Sequence, residues 1–288
     1  MCRDAETAGA DALWAIDHLF WPRPLLECLT VLAVAATATS RTALGSCVLQ
    51  LPLRSPTAVA KQAATLQLLS DGRFVLGVGA GEHAGEFQVA GSDFHDRGRR
   101  LDQGIADLRR AWGGTTGTTA RYRQEPVPPA IPVWVGGSST AARRRAAVLA
   151  DGWVPLFVSP AEYASGLADV RRRAAEVGRD PSEVTAAVVV FVRVGREGDA
   201  AQQGADWLSS MYGIPPKAFG RHLVAGSAAA CVARLQDYLE AGAEHVAVMV
   251  AADDAVVHFA ELAGALHLAP QLAADTGAHR PERVEALL

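Results

Sequence analysis

The stretch Gly77 to His83, GVGAGEH, decides how this chain is read. It closes an apolar run, RFVLGVG (73–79), and then sets a carboxylate and an imidazole side by side, Glu82 and His83. A dinucleotide-binding loop needs Gly-x-Gly-x-x-Gly between a strand and a helix, so that backbone N–H groups can approach a pyrophosphate. Counted from Gly77, the third glycine falls on Glu82; counted from Gly79, it falls on Ala84. Both registers fail. The glycines need another reason, such as close approach of a flat ligand or an unusual backbone dihedral.

Outward from this stretch, apolar strand-like runs alternate with helix-like runs. The strand candidates are 12–19, 42–50, 73–79, 132–136, 152–158, 186–194 and 245–251. Between them lie helical segments at 25–39, 56–69, 97–112, 140–150, 161–177, 200–211 and 228–241. Near-continuous apolar strands separated by helices predict a buried parallel sheet. Over 288 residues this fits a single (β/α)8 TIM barrel, 1–288, better than an open doubly wound sheet. The opening residues, RDAETAGADALW, already read as the end of a helix followed by a strand. The first strand at the N-terminus is therefore expected to be missing, leaving a seam whose exposed edges favour aggregation. Two Gly- and Pro-containing stretches, 113–130 and 213–227, read as loop insertions, the second as a candidate lid over the barrel mouth.

Composition narrows the function. A net charge of −4 argues against nucleic-acid binding. The four cysteines show no CxxC spacing and fit a reducing cytoplasm. The longest apolar run, 25–36, carries Glu27 and is too short to cross a bilayer, so no membrane association is expected. In a barrel the chemistry sits at the C-terminal ends of the strands. Those ends offer Asp17-His18, Ser46-Cys47-Val48, Gly81-Glu82-His83 and Gly136-Gly137-Ser138: an imidazole, a carboxylate and a Gly/Ser anion nest at a helix N-terminus. Each has a plainer reading. His18 is also a core histidine, Glu82 a helix-start carboxylate stabilised by the dipole, and Cys47 a small buried hydrophobe. A metal-dependent hydrolase built on Asp17, His18, His83 and Asp151 lacks H-x-H or H-E-x-x-H spacing, so no metal ligands are assigned.

Three longer stretches carry a family resemblance: AETAGADALWAIDHL (5–19), LQLLSDGRFVLGVGAGEHAGEFQVAGSDFHDRGRRLDQGIADLRRAW (66–112) and IPVWVGGSSTAARRRAAVLADGWVP (131–155). In this order they resemble the bacterial-luciferase-like flavin and deazaflavin oxidoreductases, most strongly the members that use coenzyme F420. The resemblance implies a (β/α)8 barrel and an F420-dependent oxidoreductase. Such an enzyme moves a hydride between the deazaflavin C5 and a small organic substrate, with FMN as the alternative cofactor. It implies His18 as the acid/base facing the substrate, Glu82 as the proton partner of the ring, and Trp21 as support for the reacting groups, one residue closer to His18 than the family pattern. Asp17, Ser46, Cys47, Val48, Gly79, Gly81, Gly136, Gly137 and Ser138 are implied on the cofactor side, with a non-proline cis peptide at Cys47-Val48 and Gly77, Gly79 and Gly81 as a clearance strip beneath the ring. A homodimer is expected because family members are often dimers. The alternatives are an FMN-dependent monooxygenase and a cofactor-binding protein without catalysis.

Overall fold

The structure is a computed structural model describing residues 1–113, 124–273 and 284–287. The chain begins with α1 (Cys2–Thr7) and β1 (Ala12–Ala15), then alternates through α2 (Cys28–Ala38), β2 (Ala43–Gln50), α3 (Pro56–Leu69) and β3 (Phe74–Gly79). Two helices follow, α4 (Ala84–Val89) and α5 (Arg97–Trp112), and then β4 (Val133–Gly136), α6 (Thr140–Leu149), β5 (Gly152–Val154) and α7 (Pro160–Glu176). The last third holds β6 (Thr185–Val194), α8 (Asp199–Tyr212), β7 (Leu223–Gly226), α9 (Ala228–Glu240), β8 (His245–Val250), α10 (Ala255–Ala273) and β9 (Val284–Leu287).

Every strand pairing in the sheet is parallel, in the order β5-β4-β3-β2-β1-β9-β8-β6-β7, and a β5–β6 pairing closes the ring. β7 runs alongside the upper end of β6, Phe191 pairing with Leu223 and Val194 with Gly226. The strands are buried on both faces, as in β1, where all four residues are inaccessible. This is why their sequences run apolar without alternation. Helix starts are fixed by local chemistry. Ser55 and Ser139 cap α3 and α6, and Ser159 with Glu162 forms a capping box on α7 behind Pro160.

The structure departs from the sequence reading at several places. The seam expected to stay open between β8 and β1 is bridged by β9, which pairs Leu13 with Ala286 and Val246 with Val284. The stretch 213–227, read as a loop, contains a 3-10 turn at Pro216–Ala218 and the strand β7. Its four strand residues sit among glycines and prolines that mask the pattern. The other stretch read as a loop, 113–130, lies largely outside the described residues, of which 124–130 carry the cis peptide Glu125-Pro126. The helix expected from residue 25 starts at Cys28, because Glu27 accepts the Thr30 N–H at 2.7 Å and so becomes its cap. β1 ends at Ala15 rather than at residue 19, which leaves Asp17 and His18 on the loop above it. Among the described residues, no helix is long and apolar enough to cross a membrane.

Candidate active site

Asp17 and His18 leave β1 in different directions. Asp17 is 4% exposed. Its Oδ2 accepts the Gln50 backbone N–H at 2.9 Å and its Oδ1 accepts Nη2 of Arg54 at 2.7 Å. Arg54 also reaches Glu27 at 3.0 Å. Asp17 therefore ties the β1 loop to the end of β2 rather than facing the mouth. His18 is half-buried and its Nδ1 lies 2.9 Å from Oε2 of Glu86.

Glu86, on α4, is the site residue that the sequence reading missed. It is 3% exposed. Its Oε1 accepts the backbone N–H groups of Leu19 at 2.6 Å and Phe20 at 3.2 Å. Burial works to raise its carboxyl, but hydrogen bonds from His18 and Gln50, the charge of His18 and the Phe20 N–H outweigh it and hold the group below the ordinary glutamate value. An ionised carboxylate only accepts, so the shared proton belongs to His18 Nδ1. The Gln50 amide, 3.3 Å from that nitrogen, therefore donates to Glu86 Oε2 at 3.2 Å and to the Asp17 carbonyl at 3.0 Å. This tautomer leaves Nε2 of His18 for a substrate.

An aromatic wall surrounds the imidazole. Trp21 stacks on His18 with ring centroids 3.6 Å apart and planes 22° off parallel. His83 meets both rings edge-on, at 5.5 Å from His18 and 4.9 Å from Trp21. Tyr212, from the end of α8, meets the far edge of Trp21 at 5.4 Å. Burial pushes the Tyr212 phenol well above its ordinary value, with the nearby Glu82 and Cys47 adding to the shift. Glu82 itself is exposed at the rim, 3.7 Å from Nε2 of His83. Of the two carboxylates one helical turn apart, the structure brings Glu86, not Glu82, onto His18.

The peptide Cys47-Val48 is cis, and the register between β2 and β3 shifts between Ser46 and Leu49. The glycine strip finds its reason here. A Cβ on Gly79 would lie 2.6 Å from Cγ2 of Val48, one on Gly136 2.8 Å from its Cγ1, and one on Gly77 2.1 Å from the Ser46 carbonyl oxygen. These glycines clear space for the bulge in β2, a reason for them within the fold itself. Gly81, at φ +76°, turns the chain against Gln50 and Phe87. Ser46 is fully buried and its hydroxyl donates to the Gly77 carbonyl at 2.8 Å, so it fastens the bulge from behind. Cys47 and Val48 are left half-buried, packed in the same apolar cluster as Trp21 and Tyr212.

On the next strand, Gly136 leads into Gly137 (φ +101°) and Ser138, exposed at the start of α6. Arg143 donates to the Ser138 carbonyl at 2.7 Å and is paired to Asp169 at 2.8 Å. Trp153 holds the Gly137 carbonyl at 2.9 Å. Asp151 lies at the start of β5, paired with Arg109 at 2.9 Å, at the opposite end of the barrel from His18.

Known proteins share this arrangement of elements. A phthiodiolone/phenolphthiodiolone dimycocerosates ketoreductase of Mycobacterium kansasii is 29% identical over 82% of this chain and 74% of its own length. An F420-dependent secondary alcohol dehydrogenase, solved with an F420-acetone adduct, superposes with a TM-score of 0.80 at 20% identity, over 92% of both chains. A long-chain alkane monooxygenase superposes with a TM-score of 0.76 at 15% identity, over 97% of this chain and 83% of its own. At such identities the superpositions establish the fold. The family model described as luciferase-like monooxygenase matches residues 1–264, and the chain belongs to that family.

Proposed function

We propose that this chain is an F420-dependent oxidoreductase that interconverts a carbonyl and an alcohol on a small organic substrate. The observation that carries the reading is His18, held by Glu86 in one tautomer and stacked on Trp21, beside the β2 bulge at the barrel mouth. A ketoreductase among the relatives and an F420-dependent alcohol dehydrogenase among the structural neighbours support the substrate class and the cofactor.

The residues present fit a deazaflavin. Val48 offers a half-buried apolar surface, seated between Gly79 and Gly136, for one face of a flat ring. Gly137 and Ser138 lie exposed at the N-terminus of α6, where backbone N–H groups and the helix dipole favour a phosphate. When bound, F420 supplies or accepts a hydride at C5.

The protein's own part is proton handling and orientation. In oxidation the free Nε2 of His18 takes the proton of the substrate hydroxyl, giving an imidazolium whose Nδ1–H stays on Glu86; in reduction that imidazolium returns the Nε2 proton to the substrate oxygen. Glu86 keeps Nδ1 protonated and the ring fixed. Trp21 and His83 cover the imidazole on its face and edge and keep water from it. Asp17, Arg54 and Gln50 hold the loop that carries His18. Glu82, exposed at the rim, is assigned to the ring edge of the cofactor.

His18→Ala tests the assignment. It removes turnover and leaves F420 affinity within about threefold of the parent, because the imidazole faces substrate. Loss of F420 binding instead would make His18 a cofactor contact and sink the proton-transfer role.

A further inference from the structure

A proton taken up by His18 has to leave before the next turnover, and the walls around the imidazole decide where it can go. Trp21 covers one face of the ring. Nδ1 is held against Glu86, which is buried and fastened by the backbone N–H groups of Leu19 and Phe20. Burial opposes ionisation of that carboxyl, but the hydrogen bonds from His18 and Gln50 prevail and hold it below the ordinary glutamate value. Glu86 therefore orients the ring and is a poor resting place for a proton. Asp17 is engaged by Arg54 and by the Gln50 backbone N–H. Burial pushes the Tyr212 phenol well above its ordinary value, which removes it as a proton carrier at neutral pH.

His83 offers a way out. Its ring meets His18 edge-on, with centroids 5.5 Å apart and planes at 70°. Its side chain is 43% exposed, against 17% for His18, so it stands between the half-buried imidazole and the rim. His83 is the cap residue of α4, and its carbonyl accepts the Glu86 N–H at 3.0 Å. The two residues that flank His18 are thus fixed to the same helix start. Among the described residues, Nε2 of His83 is buried without a hydrogen-bond partner. Oε1 of Glu82 lies 3.7 Å from it, too far for a hydrogen bond, and the Glu82 side chain is 78% exposed. A neutral imidazole leaves that gap open, whereas a protonated one has a carboxylate beside it at the rim.

We propose that His83 carries the proton between His18 and solvent at the rim, with Glu82 as the counter-charge of its imidazolium. The proposal rests on the functional reading above and extends it from the group that transfers the proton to the route that resets that group. In oxidation the substrate carbon gives its hydride to the deazaflavin, and the hydroxyl gives its proton to Nε2 of His18. That proton passes to His83, directly or through one bridging water, and from His83 to water at the rim. One proton is released per turnover, and His18 is neutral again with Nδ1–H still on Glu86. In reduction the same residues work in reverse and recharge Nε2 from solvent. His83 is a relay that acts through His18.

The test compares the first turnover with the steady state in His83→Gln, which keeps a planar polar side chain over His18 but cannot carry the proton. Oxidation of 2-propanol is followed by the loss of F420 absorbance, in stopped flow and at steady state. The first turnover starts from neutral His18 and keeps the parent rate, while steady-state kcat falls about tenfold or more. Added imidazole buffer restores kcat of the variant as its concentration rises and leaves the parent unchanged. F420 affinity, read by fluorescence titration, stays at the parent value. His83→Asn, a residue favoured at a helix start, carries the same expectations if His83→Gln does not fold. An unchanged kcat, a fall shared equally by the first turnover, or a fall that imidazole does not relieve overturns the proposal. Failure of the functional reading looks different: the parent protein does not bind F420 or does not reduce it with the alcohol, and the relay falls with it.

Discussion

His18 Nδ1 lies 2.9 Å from Oε2 of Glu86, a contact made across 68 positions of sequence and below the surface of the barrel mouth. It orients the one imidazole that stacks on Trp21, and it fixes which ring nitrogen is left for chemistry. Glu86→Gln keeps the size of the side chain and an acceptor for the Leu19 N–H, but removes the carboxylate. We expect kcat to fall roughly 10- to 100-fold, by analogy with loss of the carboxylate that orients a metal-bound histidine, with KM nearly unchanged. Steady-state kinetics separates this from simple loss of folding, which would lower the active fraction and leave kcat per folded molecule intact.

The Val48 side chain occupies the space that a Cβ on Gly79 would need. Gly79→Val therefore forces the β2 bulge away from β3 and costs about 1–3 kcal/mol of stability, with loss of F420 binding. Gly79→Ala combined with Val48→Ala relieves the clash and recovers stability relative to Gly79→Ala alone. Urea unfolding of the single and double variants checks this. If the two substitutions are additive, Val48 is not what the glycine accommodates.

Asp17 is buried and accepts from Arg54, whose side chain is 16% exposed. Asp17→Asn leaves that guanidinium with the half-exposed Glu27 as its remaining ion-pair partner and destabilises the fold by about 3 kcal/mol. Asp17→Asn with Arg54→Met removes both charges and recovers part of the loss. Chemical denaturation of the three proteins gives the coupling.

Glu6 ties α1 to the turn before β2. Burial opposes its ionisation, but the backbone N–H groups of Arg41, Thr42 and Ser40 and the Thr42 hydroxyl lower its carboxyl from 4.5 to about 2. A depressed folded-state value means that the stabilisation is complete above the unfolded-state value and disappears as pH falls through the folded one. The stability gap between the parent and Glu6→Gln is therefore full at neutral pH. It closes between about pH 4.5 and about pH 2. Thermal melts across that range measure it.

How far the sequence reveals the fold depends on the range of the forces involved. Asp17-His18 is legible because an apolar strand ends in two polar residues, and β3 and β6 because burial on both faces writes a long apolar run. Glu86 is not legible as a site residue. It sits on a six-residue helix one turn after Glu82, and nothing local distinguishes the carboxylate that turns inward from the one that stays at the rim. The close packing of Gly79 against Val48 of the neighbouring strand is not legible in the local spacing of the glycines. β7 is four residues long in a segment rich in turn formers, and β9 is specified by its partners β1 and β8 rather than by its own pattern.

The measurement that tests the central claim most directly is fluorescence titration of the purified chain with F420 and, in parallel, with FMN. The account predicts micromolar or tighter binding of F420, with FMN at least tenfold weaker. Preferential binding of FMN, or binding of neither, would contradict it.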